Sequence, residues 1–196
     1  MTQTHSTLPN KRNTLNKKNM NTESTSFPKE GIPISNAGLV LLNNYVLMLL
    51  ERLGAIKDNA FISDSAQLDA VHYLQYIVTG QSQTEESLLP LNKVLVGLSP
   101  NTPVKNSIDM TETQKQLIDG MITSTISFWT AIGDASIMGF RGNWLVRDGI
   151  LRETENHWEL TVEKRAYDVL LIKSPFSFSI IKLPWMEKPL HVTWPF

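Results

Sequence analysis

From Leu39 to Leu50 the chain is apolar at every position except Asn43 and Asn44. The spacing predicts a helix over 36–53, opened by Ser35 or Asn36 and stopped by Gly54. Asn43, Asn44, Glu51 and Arg52 form one narrow polar stripe, interrupted by Leu47 and Met48. Twelve such residues are too few for a bilayer, which takes about twenty. Such a helix must be buried on most sides, in its own core or against another subunit. Leu42 and Val46, at its centre, are therefore candidate contact residues.

Three further helical patterns follow. Over 65–79, behind a capping box Asp64-x-x-Gln67 and before Gly80, Ala70, Val71, Leu74, Ile77 and Val78 point inward. Over 85–96 the helix is kinked at Pro90 or starts there, and it ends at Gly97. A Ser-Pro-Asn-Thr-Pro stretch over 99–110 marks a boundary. Thr111-x-x-Gln114 is a second capping box. Behind it Ile118, Ile122, Thr125, Trp129 and Ile132 line one face, flanked by Leu117, Met121 and Phe128, up to Gly133. A short helix over 136–147 turns Ile137, Phe140, Trp144 and Leu145 inward.

Beyond Gly149 the period becomes two. Residues 150–154 and Trp158/Leu160/Val162 against Glu159/Thr161/Glu163 read as a hairpin with one wet face. Residues 165–172 fit a short helix or a strand equally. Phe176, Phe178 and Ile180 on one side, with Ile181 and Leu183 on the other, suggest a strand buried on both sides. Pro184 ends that strand, and Leu190, Val192 and Trp194 alternate with His191 and Thr193 in the last one. The predicted class is α+β: an N-terminal helical half over 31–104, and over 105–196 a helix plus a small antiparallel sheet, the two sharing one core.

Composition adds a tail. Residues 1–30 carry five basic side chains (Lys11, Arg12, Lys17, Lys18, Lys29) against Glu23 and Glu30, which leaves −4 on the rest of a chain of net charge −1. The segment has no hydrophobic period and too little apolar surface to offset its ordering entropy, so a disordered basic tail is expected. The overall balance favours neither nucleic acid nor an anionic membrane as partner. With no cysteine, there is no disulfide framework and no thiolate zinc site, and a reducing, cytoplasmic compartment suits the chain. The N-terminus lacks the apolar core of a signal peptide.

Candidate chemistry is thin. His72 shares the polar face of its helix with Gln75 and Thr79 and has no partner ligand at i+3 or i+4. His157 and His191 are expected to face solvent. Gly133, Gly139 and Gly142 lack the spacing of a phosphate loop, and no serine lies in a nucleophile elbow. Glu153, Glu155, Glu159 and Glu163 solubilise a hairpin. No cofactor is implied, and the expectation is a non-enzymatic protein. Trp129, Trp144 and Trp158 read as core, and Arg141 and Arg147 as stacking and helix-end groups beside Trp144. Trp185, after a strand-ending proline, either plugs the core or protrudes into a partner, with Lys182 and Met186 as its rim.

Five stretches carry a resemblance: Ile34-Ser-Asn-Ala-Gly-Leu-Val-Leu-Leu42, Ala70-Val-His-Tyr-Leu-Gln-Tyr-Ile-Val-Thr-Gly80, Leu91-Asn-Lys-Val-Leu-Val-Gly-Leu98, Trp158-Glu-Leu-Thr-Val-Glu163 through Asp168-Val-Leu-Leu171, and Ile180-Ile-Lys-Leu-Pro-Trp-Met186. In this order they resemble the tape measure proteins of phage-tail-like contractile injection systems. The resemblance implies a structural role in the lumen of a growing inner tube, between baseplate hub and terminal cap. It implies partners among inner tube, hub and cap proteins, possible self-association, assembly in the cytoplasm and residence in the particle. A wholly helical chain of this length would reach only about 290 Å, and no measuring stretch is evident. The sequence looks like the globular portion of a tape measure without the tape, suited to anchoring or capping. The alternative is a cytoplasmic adaptor that binds cargo.

Overall fold

The computed structural model describes residues 30–196. The tail expected over 1–30 lies, up to residue 29, outside them. The described residues are α+β, with a five-stranded sheet and a two-stranded ribbon among the helices.

The chain enters as an edge strand, β1 (Ile32–Ile34). The apolar run then divides in two, a 3₁₀ helix over Ala37–Leu42 and α1 over Asn43–Arg52, where one continuous helix was expected. The reason lies at Gly38. A Cβ there would stand 1.8 Å from the Trp144 carbonyl oxygen, so the backbones nearly touch. All six residues of the 3₁₀ segment are buried, which places it in the middle of the molecule.

A ribbon of β2 (Ile56–Lys57) and β3 (Ala60–Phe61) leads to α2 (Asp64–Thr79). The cap of α2 is Ser63, whose hydroxyl accepts the Ala66 N–H, and not the expected box at Asp64. Gln67 instead reaches away, donating to the Val96 carbonyl at 2.8 Å. The third helix resolves in favour of Pro90. A 3₁₀ turn over Glu86–Leu88 precedes α3 (Pro90–Leu95), with proline at its first position where no N–H is needed. Thr111 and Gln114 form the predicted capping box of α4 (Glu112–Phe128). Ile118, Ile122, Thr125 and Trp129 are buried as expected, but Phe128 is not: it is 66 % exposed. It lies at the margin of the apolar stripe, beyond the point where the core ends.

After a 3₁₀ turn at Thr130–Ile132, the short helix comprises α5 (Ile137–Phe140) and one π turn (Arg141–Leu145). The expected hairpin is present as β4 (Gly149–Glu153) and β5 (Trp158–Val162). The ambiguous segment is a 3₁₀ helix, Ala166–Lys173. It is followed by β6 (Ile180–Ile181) and β7 (Leu190–Thr193).

The sheet order is β1-β4-β5-β7-β6. It is mixed, not purely antiparallel, because β5 and β7 run parallel. A parallel pair requires a crossover, and residues 163–189 supply it. Ile32, Leu151, Leu160 and Val192 form one cross-strand row on the inner face. Arg152, Glu159, His191 and Ile180 form the corresponding row outside. The strand through Ile180 is thus buried on one side only. Buried residues from both halves of the chain belong to a single core.

Candidate assembly surface

Two polar junctions hold this body together. In the first, the Asn36 side-chain amide donates to Gln75 Oε1 (2.9 Å) and to Asn92 Oδ1 (2.6 Å). Asn92 in turn donates to Gln75 Oε1 (3.1 Å) and to the Val71 carbonyl (3.0 Å). The chain just after β1 is thereby stitched to α2 and α3 by neutral groups. Asn36 Oδ1 is buried and finds no partner among the described residues.

The second junction is charged. Arg147 and Asp168 are fully buried and meet in a fork, Nη2 to Oδ1 at 2.7 Å and Nη1 to Oδ2 at 2.9 Å. Asp168 also accepts the Trp194 indole N–H (2.9 Å) and the Arg165 amide (2.8 Å). The guanidinium stands 5.2–5.6 Å from the ring centres of Trp144, Tyr167 and Trp194. Burial by itself would raise the Asp168 carboxyl, but the hydrogen bonds from Arg147, Arg165 and Trp194 outweigh it and hold it below its ordinary value. Arg147 therefore does stack beside Trp144, and it also ties the last strand to the π turn. Arg141 closes the end of α2, donating to the Ile77 and Tyr76 carbonyls and pairing with Asp119 at 2.9 Å. Sequence reasoning missed the Asp168 partnership, because an aspartate 21 residues from its arginine reads as surface charge.

The residues singled out for partner contact are placed as follows. Leu42 and Val46 are buried in the chain's own core. Met186, expected on a rim, is buried too, its sulfur accepting the Leu183 amide at 3.4 Å. Lys182 is exposed and bonds the Glu187 carbonyl. Trp185 is half-buried: its ring lies 4.8 Å from that of Phe61, and its indole N–H donates to the Leu95 carbonyl at 2.8 Å. Gly97, at φ +79°, lets its backbone pass beneath, since a Cβ there would lie 2.6 Å from the Trp185 carbonyl oxygen. Beside this turn opens a cleft of about 170 Å³, lined by Ser99, Glu153, Trp158, Glu187 and Lys188 among others.

The histidines among the described residues are spent locally. His72 is buried against the 99–110 segment, its Nε2 2.7 Å from the Lys105 carbonyl, and burial lowers its pKa. His157 stacks on His191 with ring centres 4.2 Å apart, and its Nε2 lies 3.1 Å from Glu159. Among the described residues, no three His, Cys, Asp or Glu side chains gather as a metal would require. No helix among them is long and apolar enough to cross a membrane.

The family model for contractile injection system tape measure proteins matches residues 1–194, and the chain belongs to that family. No curated protein and no solved structure matches it. The family is a structural one whose members are built into the contractile injection particle.

Proposed function

We propose that this chain is a non-enzymatic assembly component that controls or caps inner-tube length, acting as the globular anchor of a tape measure. Its contacts are inner tube, baseplate hub or terminal cap proteins, made during assembly in the cytoplasm. The observation that carries this reading is the Leu183-Pro-Trp-Met186 turn. Trp185 is held by Phe61 and the Leu95 carbonyl, yet the residue is only half-buried and lies between exposed Pro184 and the exposed Glu187. An aromatic ring fixed before binding loses little entropy on docking, which is what a hot-spot residue requires. Lys182 and Trp185 make the contact, while Met186 beneath them and Leu42 and Val46 in the core keep the body rigid. No cofactor takes part.

Electron microscopy of particles from cells lacking the gene tests this. The expected result is missing particles or tubes of irregular length, with partial failure for Lys182→Glu at a melting temperature within a few degrees of the parent's. Particles of normal number and uniform length in the deletion strain would rule the proposal out in favour of an exchanging adaptor.

A further inference from the structure

The outer face of the sheet carries an apolar pocket at its Gly149 end. Pro33, Ile150 and Thr161 form a cross-strand row there, on the same side as Arg152 because Ile150 lies two residues from it. With Leu88 from the 3₁₀ turn over Glu86–Leu88, they line a cavity of about 470 Å³. Leu88 is 42 % exposed, Pro33 and Thr161 are exposed, and Ile150 is only partly buried. The charged residues of the lining are two carboxylates, Asp148 and Glu163, and neither is in an ion pair among the described residues. Arg165 is near enough to feel both. Its guanidinium, however, donates to the Gly142 and Val146 carbonyls and to the Tyr167 hydroxyl. An apolar pocket with carboxylates and no cation in its wall fits an apolar anchor joined to basic residues.

Such a segment is tethered beside the pocket. The chain reaches β1 through Gly31, which is buried and has φ +91°. A Cβ there would lie 2.5 Å from Ile150 Cγ2 and 2.7 Å from Arg152 Cγ, so the backbone is pressed against two side chains of this face. Arg152 Nε also donates to the Glu30 carbonyl at 3.2 Å, which fixes the first described residue at the same place. Ile150 thus both lines the pocket and lies against the point where the upstream chain arrives. Before residue 30 the sequence has one Phe, Tyr or Trp, Phe27, followed by Pro28, and five basic side chains against Glu23 alone. Four residues of chain span at most about 14 Å, which is also about the distance along the strand from Arg152 to Asp148. From residue 31, Phe27 therefore reaches every part of the pocket. Pro28 holds Phe27 in extended backbone, so less freedom is lost on docking.

We propose that this chain's own residues 26–29 dock on the outer face of the sheet, with Phe27 in the pocket beside Pro33, Ile150 and Leu88. Lys18 and Lys17, the next basic residues upstream, are then drawn towards Asp148 and Glu163. The opposite end of the face offers them nothing, because Arg152 stands across from Glu159 and the charge there is balanced. Tethering favours this occupant over a free one, since a short linker presents its own segment at roughly millimolar effective concentration.

The chain contains no cysteine, so an introduced pair reports the contact without background. In the full chain carrying Ser26→Cys and Thr161→Cys, mild oxidation is expected to close a disulfide within the monomer. Adding Phe27→Ser leaves the tether unchanged and removes only the anchor, and it is expected to slow closure about tenfold. Leu88→Asp, on the pocket side, is expected to slow it similarly; the Phe27→Ser arm does not depend on how well that variant folds. Closure at the parent rate in Phe27→Ser would overturn the proposal. So would disulfides that form between chains and not within one, which assign the pocket to the segment of a second copy. A parent pair that does not close at all leaves the pocket to another protein or to solvent, and this too overturns it.

Discussion

The two polar junctions solve one problem, joining distant segments inside a core, with opposite chemistry. The Asn36–Gln75–Asn92 cluster uses neutral amides and leaves one oxygen unbonded. The Arg147–Asp168 pair uses full charges and surrounds them with an indole, an amide and three aromatic rings. Amides tolerate a missing partner at a cost of about 1–3 kcal/mol. A buried charge does not, so the second junction had to be complete. The difference teaches where this fold is brittle: at the C-terminal knot, not at the N-terminal stitch.

The largest expected effect therefore comes from Asp168→Asn, which keeps the shape and strands the Arg147 charge. It is expected to cost about 3–5 kcal/mol in urea unfolding. Arg147→Met is expected to cost less, because the Asp168 carboxyl retains the Trp194 and Arg165 donors and can take up a proton. Equal costs for the two would show that lost packing, not stranded charge, governs the knot. Next comes Asn92→Ala, which removes the central amide and is expected to cost about 1–3 kcal/mol by the same measurement. A cost equal to that of Asp168→Asn would erase the contrast between the junctions.

Acid sharpens the comparison. Asp168 has a folded pKa below its unfolded value, so its contribution is full above the unfolded carboxylate pKa, about 3.9. It is lost as pH falls below that through the folded value. His72, on α2 beside the amide cluster, also has a lowered pKa, but as a base it acts earlier. Below its unfolded value near 6.5, the unfolded chain takes up a proton that the buried ring refuses, and stability falls until the folded pKa is passed. The charged groups near it are Asp69, which favours protonation, and Lys105, whose carbonyl it bonds. Stability measured from pH 8 to pH 3 is expected to decline in two stages, the milder one absent in His72→Gln. A parent curve flat between pH 7 and pH 5 would show that the ring titrates alike in both states.

Local signals were legible in the sequence, and contacts between distant segments were not. The Thr111–Gln114 box, Pro90 at a helix start and the alternation of Trp158, Leu160 and Val162 are each specified within a few residues, and each is present. The 3₁₀ form of Ala37–Leu42 was hidden because a segment buried on every side has no period to read. Only the approach of Gly38 to Trp144 fixes it. β1 is three residues with a central proline, too short to stand out, and is recruited by β4. The parallel β5–β7 pair depends on a crossover no local pattern encodes. At the candidate surface, the sequence pointed to Trp185 but could not tell Met186 from a rim residue, since only the turn decides which of two adjacent side chains faces in.

The central claim is that this chain is a built-in part of the contractile injection particle, and quantitative mass spectrometry of purified particles tests it most directly. The account predicts that its peptides persist through particle purification in a fixed ratio to tube and baseplate proteins, unchanged by high-salt washing. Peptides that wash away, or whose ratio varies from one preparation to the next, would contradict it.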